Sequence, residues 1–239
     1  MWLALETATD RASVAVGESV ADAVEESLTG ARRHAGALLP MIAAALRRRG
    51  VTLDRLSGVV VSDGPGSFTG LRVGASVAKA LVRARGLALW TAPSLVVRAA
   101  GATGDGNRLV LAVSDALRGD LYAAAVRFDR GRVTVELEPG VWRPEALARL
   151  QLAPEVLVGE VPPPAAAVLE EWTGLRLVGP PDGAPHAARL IGLAAMEGGA
   201  RRVEDAGAWE PVYGRPAEAQ ARWETAHGRP LPDSVGGTR

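Results

Sequence analysis

The stretch from Asp63 to Arg72 reads DGPGSFTGLR, and the interpretation of the chain depends on it. Three glycines and one proline lie directly after a buried strand pattern and directly before a helical one. Such a junction brings backbone N–H groups to a helix N-terminus, where anions bind well. It also serves as a tight strand–helix connection or as a surface for a partner. Local chemistry favours structural use, with Ser67 or Thr69 capping the helix.

Two nucleotide-binding motifs fail here on spacing. A Walker A loop needs a lysine directly after its last glycine, but the only lysine, Lys79, lies about two turns inside the helix. A dinucleotide fingerprint, G-x-G-x-x-G, fits Gly64 and Gly66, but the next glycine comes one residue late, at Gly70. The stretch therefore predicts neither a P-loop nor a Rossmann site.

The helix predicted over 67–85 carries two apolar faces, whereas an ordinary surface helix buries only one stripe. One face consists of Leu71, Gly74, Ala75, Ala78 and Val82, and the nearly opposite face consists of Val73, Val77, Ala80 and Ala84. The pattern fits a helix that is covered on both sides within one chain. It fits an intermolecular interface equally well.

Outward from this junction, the sequence predicts an α/β protein of two lobes. Three strand patterns open the chain, and a helix follows over 34–49, with Pro40 inside it and Gly50 as its C-cap. The order of three strands, helix, strand and helix recurs after a glycine-rich connection. We place the lobes at residues 1–102 and 103–216, followed by a loose polar tail at 217–239.

Composition excludes several classes of function. The 239 residues have a formal net charge of zero and contain no cysteine, which excludes disulfides and thiolate chemistry. No two of the three histidines have helical i, i+4 spacing, which disfavours a metal site. Glu6 interrupts the first apolar run, and no stretch is long enough to span a bilayer, so we expect a cytoplasmic protein without a signal peptide.

One helix is flanked by arginines, which leaves local RNA contact open despite the neutral charge. The structural interpretation, without RNA contact, is a solvated helix face with cations near its C-terminus. The arginines are Arg32, Arg33, Arg47, Arg48 and Arg49.

The segment GPGSFTGLRVG, at 64–74, resembles the signature loop of the TsaB (YeaZ) family, whose members act with TsaD in making threonylcarbamoyladenosine on tRNA. LALETAT at 3–9, RRHAGALLPMI at 32–42, VSDALRGDLY at 113–122 and EPVYGRP at 210–216 resemble other family segments in the same order. The resemblance covers residues 3 to 216. Two positions depart from the family pattern: Glu6, where Asp is usual, and Gly214, where a bulky apolar residue is expected.

The resemblance implies an actin/Hsp70-like (ASKHA) fold of two lobes, each a mixed sheet packed with helices. It implies a non-catalytic scaffold subunit that pairs with TsaD, helps to recruit TsaE, meets tRNA through the complex, has no membrane role and forms a homodimer when alone. The implied partner interface consists of Leu38, Ile42, Ala45, Val73, Val77, Ala80 and Ala84. The implied signature loop consists of Gly64, Pro65, Gly66, Ser67, Phe68, Thr69, Gly70 and Arg72.

The catalytic relative TsaD carries two histidines four residues apart on its first helix, and they hold its metal. His34 matches the first position, but Leu38 stands at the second. The resemblance therefore implies no metal, no catalytic residue and no resident cofactor, with any weak nucleotide binding expected only in the complex.

Two other functions stay open at this stage. One is a metallopeptidase-like or ATP-using enzyme of the same fold. The other is a weak RNA- or nucleotide-binding module that uses Arg32, Arg33 and the amides after Gly66.

Overall fold

The computed structural model describes residues 1–30, 34–103 and 107–214. The predicted tail at 217–239, most of the glycine-rich connection and two of the arginines, Arg32 and Arg33, lie outside these ranges. The predicted lobe boundary after residue 102 stays a prediction. No helix within the described ranges is long and apolar enough to cross a lipid bilayer.

The first half of the chain builds three strands and then alternates helices with strands. Its elements are β1 (Trp2–Glu6), β2 (Arg11–Gly17), β3 (Val24–Thr29), α1 (His34–Arg49), a 3-10 turn (Leu53–Arg55), β4 (Gly58–Ser62), α2 (Phe68–Arg85), β5 (Ala88–Ala92) and α3 (Ser94–Ala102). Gly50 and Gly86 follow the two long helices with positive φ, as helix C-termini favour.

The second half repeats the same order. Its elements are β6 (Leu109–Asp115), β7 (Leu121–Asp129), β8 (Arg132–Trp142), α4 (Pro144–Leu147), β9 (Val156–Glu160), α5 (Pro163–Thr173), β10 (Leu177–Val178), α6 (Ala187–Ala194) and β11 (Arg201–Val203). The repeat is longer than the sequence predicted, because a further strand and helix close each half.

Each half forms one mixed sheet. The first has the order β11-β5-β4-β1-β2-β3 and the second β10-β9-β6-β7-β8. In both, the first strand of the half pairs antiparallel with the second strand and parallel with the fourth. This matching order confirms the predicted two-lobed α/β fold of the actin/Hsp70 type. The late strand β11 returns to the first sheet and pairs antiparallel with β5.

The helices form layers on the two sheets. Helices α1 and α2 pack on one face of the first sheet, and α4 and α5 pack on the outer face of the second. Helices α3 and α6 share one buried cluster with residues of both sheets, so the core runs from one lobe into the other. The faces left to solvent include the outer side of the α1–α2 layer.

Periodicity decides which side of α1 meets the first sheet. Its buried apolar residues recur at i, i+3, i+4, i+7 and i+8, which is one stripe of a helix. They are Leu38, Met41, Ile42, Ala45 and Leu46. The expectation that Leu38, Ile42 and Ala45 contact a partner is therefore wrong, because all three pack inside the chain against the sheet.

A pair of neighbouring leucines tests this orientation of α1. Leu38 is fully buried, whereas Leu39 is 59% exposed. We expect Leu38→Ala to lower the free energy of unfolding by about 2–5 kcal/mol through loss of burial and a residual cavity. Leu39→Ala should change it by no more than about 0.5 kcal/mol. Urea unfolding of both variants measures this, and equal losses would contradict the orientation.

Candidate functional site

The signature loop joins β4 to α2 and is tied to three other segments. The Gly64 amide donates to Ser94 Oγ at 3.1 Å, and the Ser94 amide donates to the Gly64 carbonyl at 2.7 Å. The Ser67 amide donates to the Ala8 carbonyl at 2.7 Å, in the turn between β1 and β2. The Val212 amide donates to the Asp63 carbonyl at 2.6 Å. The loop is thus bound to the start of α3, to the β1–β2 turn and to the C-terminal part of the described chain.

Ser67 is the N-cap of α2. Its Oγ accepts from the Gly70 amide at 3.2 Å, which satisfies one of the helix's unpaired N–H groups. Thr69, the other predicted candidate, is exposed in the first turn. One of the amides that an anion would have used is therefore taken by the chain itself.

The glycines of the loop allow a close approach to the β1–β2 turn. A Cβ on Gly66 would overlap the Ala8 carbonyl oxygen, and a Cβ on Gly70 would overlap the Thr7 carbonyl oxygen. A Cβ on Gly74, one turn further along α2, would overlap Thr7 Oγ1. None of these three has a positive φ, so space rather than backbone conformation requires glycine there. Backbone of the same chain occupies the place in front of Gly66 and Gly70.

The aromatic residue of the loop is held by the C-terminal segment. The Phe68 ring lies 4.6 Å from the Tyr213 ring, centroid to centroid, and the Arg72 guanidinium lies 5.2 Å from the Phe68 centroid. Gly214 has φ +75°, and a side chain there would collide with Tyr122 and with Pro65. The structure thus explains why this chain has glycine where the family pattern suggested a bulky residue.

The remaining predicted interface residues lie on α2, at or near its surface. Val73 and Val77 are half-buried, and Ala80 and Ala84 are exposed. The exposed residues of α1 include Leu39 and Pro40. We define the open face by these six: Leu39, Pro40, Val73, Val77, Ala80 and Ala84.

Sequence reasoning missed Leu39 and Pro40, although a signal was present. Leu38, Met41, Ile42, Ala45 and Leu46 already complete one stripe of α1, and Leu39 falls outside it.

The arginines at the end of α1 are mostly engaged within the chain. Arg48 Nη1 lies 2.6 Å from Glu26 Oε1, and Arg49 Nη2 lies 2.8 Å from Asp22 Oδ2. These pairs join the last turn of α1 to β3 and to the turn before it. The contacts fit the interpretation of a helix end with cations near its C-terminus.

His34 is buried at the start of α1 and turned inward. Its Nε2 lies 3.1 Å from the Asp10 carbonyl oxygen, which is in the β1–β2 turn. Within the ranges that the structure describes, no group of three or more His, Asp or Glu side chains could hold a metal ion.

A buried carboxyl lies at the end of β1, directly before the turn that meets the loop. Glu6 is fully buried, and its Oε1 accepts from the Ala8 amide at 2.7 Å. Burial raises the pKa of Glu6 to about 7, against the opposing effects of the Ala8 amide, Ser62 and the guanidinium groups of Arg98 and Arg11. The sequence identified Glu6 as a departure from the family pattern but gave no sign of its burial.

Two glycines test the close approach of α2 to the β1–β2 turn. We expect Gly70→Ala to lower the free energy of unfolding by about 1–3 kcal/mol, because its Cβ must displace the Thr7 carbonyl. In α1, no atom of the described residues lies within 4 Å of a Cβ on Gly36, so Gly36→Ala should raise stability by about 0.5–1 kcal/mol. Urea unfolding measures both. A neutral Gly70→Ala would contradict the contact.

The buried carboxyl predicts a dependence of stability on pH. Because the folded pKa of Glu6 is raised from 4.5 to about 7, its neutral form is favoured in the folded protein. This contribution is fully present below pH 4.5 and is lost as the pH rises through 7, by about 3 kcal/mol at most.

We expect Glu6→Gln to remove this loss in the range between the two pKa values, from pH 4.5 to about pH 7. Glu138→Gln, at an exposed position, should keep the wild-type profile. Thermal unfolding across this pH range checks both variants. An unchanged slope in Glu6→Gln would show that another group is responsible.

Comparison with known proteins agrees with this geometry. The family model described as "TsaD: tRNA N6-adenosine threonylcarbamoyltransferase" matches residues 26–166, which is more than half of the chain. The Escherichia coli (strain K12) tRNA threonylcarbamoyladenosine biosynthesis protein TsaB is 32% identical over 157 residues, which span 65% of this chain and 63% of that protein. The Haemophilus influenzae protein of the same name is 28% identical over 223 residues, 88% of this chain and 92% of the relative.

Two solved structures from Pseudomonas aeruginosa are similar over nearly their whole length. One, described as an uncharacterized protein with similarity to peptidase YEAZ, has a TM-score of 0.72 and 28% identity over 90% of this chain and 99% of its own. The other, YeaZ, has a TM-score of 0.67 and 25% identity over 89% and 98%. On the family model, the curated relatives and these structures, the chain belongs to the TsaB (YeaZ) family.

Proposed function

We propose that this chain is a non-catalytic scaffold subunit in the biosynthesis of threonylcarbamoyladenosine on tRNA, and that it pairs with TsaD through the open face. The observation that carries the proposal is the open face itself. Leu39 is 59% exposed beside Pro40, and the exposed Ala80 and Ala84 lie on the neighbouring helix. Exposed apolar side chains on two adjacent helices are typical of a protein-binding site.

The choice of TsaD as the partner follows from the shared fold. The TsaD family model matches residues 26–166, a range that contains both α1 and α2. A partner of the same fold presents an equivalent pair of helices, and two such pairs can meet across a pseudo-two-fold axis. A second copy of this chain could use the same face. The homodimer expected for the isolated chain and the heterodimer with TsaD are then alternatives that compete.

The small side chains of the open face favour close helix packing. Ala80 and Ala84 are one turn apart on α2, so a partner helix can approach there without displacing bulky groups. Leu39 and the half-buried Val73 and Val77 would supply apolar area beside that contact.

The geometry of the loop supports a scaffold over an enzyme. Its glycines receive the Thr7 and Ala8 carbonyls, and its Ser67 hydroxyl caps the helix. We therefore propose that the isolated chain holds no nucleotide and that any such contact arises only in the complex. In the same proposal, TsaE joins the TsaD-bound form, tRNA is met through the complex, and the work takes place in the cytoplasm.

A charge on the open face tests the proposal. We expect Ala80→Glu to abolish association with TsaD from the same source, because the carboxylate would be buried without a partner charge in the complex. Light scattering after gel filtration, applied to each protein alone and to their mixture, measures the association. The isolated variant should keep the wild-type melting temperature within about 2 °C, because position 80 is exposed.

Ala167→Glu provides the matched control. Ala167 is also an exposed helical alanine, but it lies on α5 in the second lobe. This variant should associate like the wild type. If Ala80→Glu still binds TsaD, or if wild-type protein never binds it, the proposed interface is wrong.

A further inference from the structure

The described chain ends in a segment without helix or strand that crosses α2. We call residues 204–214 the strap. It begins with a turn in which Asp205 Oδ1 accepts from the Gly207 amide at 2.8 Å and from the Ala208 amide at 3.1 Å. Trp209 follows, only 8% exposed, and packs with the core that α1, α2 and the first sheet form. One end of the strap is therefore fixed in the core.

The other end of the strap lies on the signature loop. The Val212 amide donates to the Asp63 carbonyl at 2.6 Å, and the Tyr213 ring lies against Phe68. Tyr122, from the second sheet, donates its hydroxyl to the Tyr213 carbonyl at 3.4 Å. The strap thus connects α2, the loop and the second lobe.

The ammonium group of Lys79, on α2, contacts the strap between these ends. Lys79 Nζ donates to Glu210 Oε1 at 2.8 Å and to the Gly207 carbonyl at 3.4 Å, and it lies 5.7 Å from the Trp209 ring centroid. A compact ammonium has three rotatable donors and can serve acceptors in different directions, whereas the flat guanidinium fork of arginine suits one carboxylate. Lys79 is also the only lysine of the chain.

The position of Lys79 links the strap to the open face. Its neighbour Ala80 belongs to the open face, as does the half-buried Val77, which also packs against the core that α1 and the first sheet form. The strap contacts α2 through Phe68 and Lys79. Helix α2 is therefore held by the sheet beneath it, by α1 and by the strap.

We propose that Lys79 is a positioning residue that docks the strap on α2, and that the docked strap sets the position of the signature loop and of the open face. The second half of this inference rests on the proposed pairing with TsaD. The first half concerns the isolated chain alone.

Amide exchange in the isolated chain tests the docking. The Val212 amide bonds to the Asp63 carbonyl only while the strap is docked, so its exchange rate reports opening. We expect Lys79→Met to speed this exchange about tenfold, through loss of the ion pair and of the cation–π contact. Arg176→Met removes a positive charge at an exposed position on the second lobe and should leave the rate unchanged.

Swapping the charges of Lys79 and Glu210 distinguishes the effect of this ion pair from a general loss of stability. Lys79→Glu alone should speed the Val212 exchange at least as much as Lys79→Met, because it faces Glu210 with a like charge. Adding Glu210→Lys should restore most of the protection. The docking role of Lys79 would be overturned if the Val212 amide of Lys79→Met exchanged at the wild-type rate. It would also be overturned if the double variant regained no protection of that amide.

Titration of TsaD onto the same variants tests the coupling to the open face. We expect the dissociation constant of Lys79→Met to rise about two- to tenfold, and that of Arg176→Met to stay at the wild-type value. Faster Val212 exchange with unchanged affinity would overturn the coupling. If wild-type protein does not bind TsaD, the proposed function fails, while the Val212 exchange still decides whether Lys79 docks the strap.

Discussion

The structure depends on the contact between the start of α2 and the turn between β1 and β2. Glycine at 66, 70 and 74 lets the helix approach the Thr7 and Ala8 backbone more closely than any side chain would allow. The Ser67 amide completes the contact by donating to the Ala8 carbonyl. The helix is thereby placed against the central strand of the first sheet, and its orientation fixes which residues face outward.

Nucleotide-binding proteins with glycine-rich loops use their glycines for a different contact. In those proteins, glycines let backbone amides approach a phosphate. Here the glycines let one part of the chain approach another, and the N-cap hydroxyl takes the Gly70 amide. We propose the outer side of the helix layer as the functional surface, because apolar residues of α1 and of α2 are exposed there. The strap supports this layer from a second side and reaches across to Tyr122 on the other lobe.

Much of the fold could be predicted from the sequence, because it follows from local patterns. The extent of α1, the C-cap at Gly50, the capping by Ser67 and the repeated order of elements all follow from periodicity and from glycine and proline positions. Local patterns do not predict whether the apolar side of a helix packs on its own sheet or on a partner. Leu38, Ile42 and Ala45 form an apolar stripe whether the stripe meets a sheet or a partner, and only the tertiary structure assigns it to the core.

Other features arise from contacts between residues far apart in the chain, and no local pattern encodes them. The buried Glu6 carboxyl is affected by Ser62 and Arg98, which lie far from it in the chain, and Gly214 is required by the close approach of Pro65 and Tyr122. The contact between Lys79 and the strap joins residues far apart in the chain, since Lys79 and Glu210 are separated by 131 positions. The position of the loop between strand and helix could therefore be predicted from the sequence. The interface role of the α2 residues stays a prediction, and the interface role of Leu38, Ile42 and Ala45 was wrong because these residues are buried.

Hydroxyl-radical footprinting with and without TsaD tests the central claim most directly, at concentrations where the chain alone is monomeric. Two exposed leucines provide the comparison: Leu39 on the open face, 59% exposed, and Leu117 in the turn between β6 and β7, 63% exposed. We expect TsaD to suppress oxidation of Leu39 and to leave Leu117 as reactive as it is in the isolated chain. Protection of Leu117 with Leu39 unchanged would contradict it.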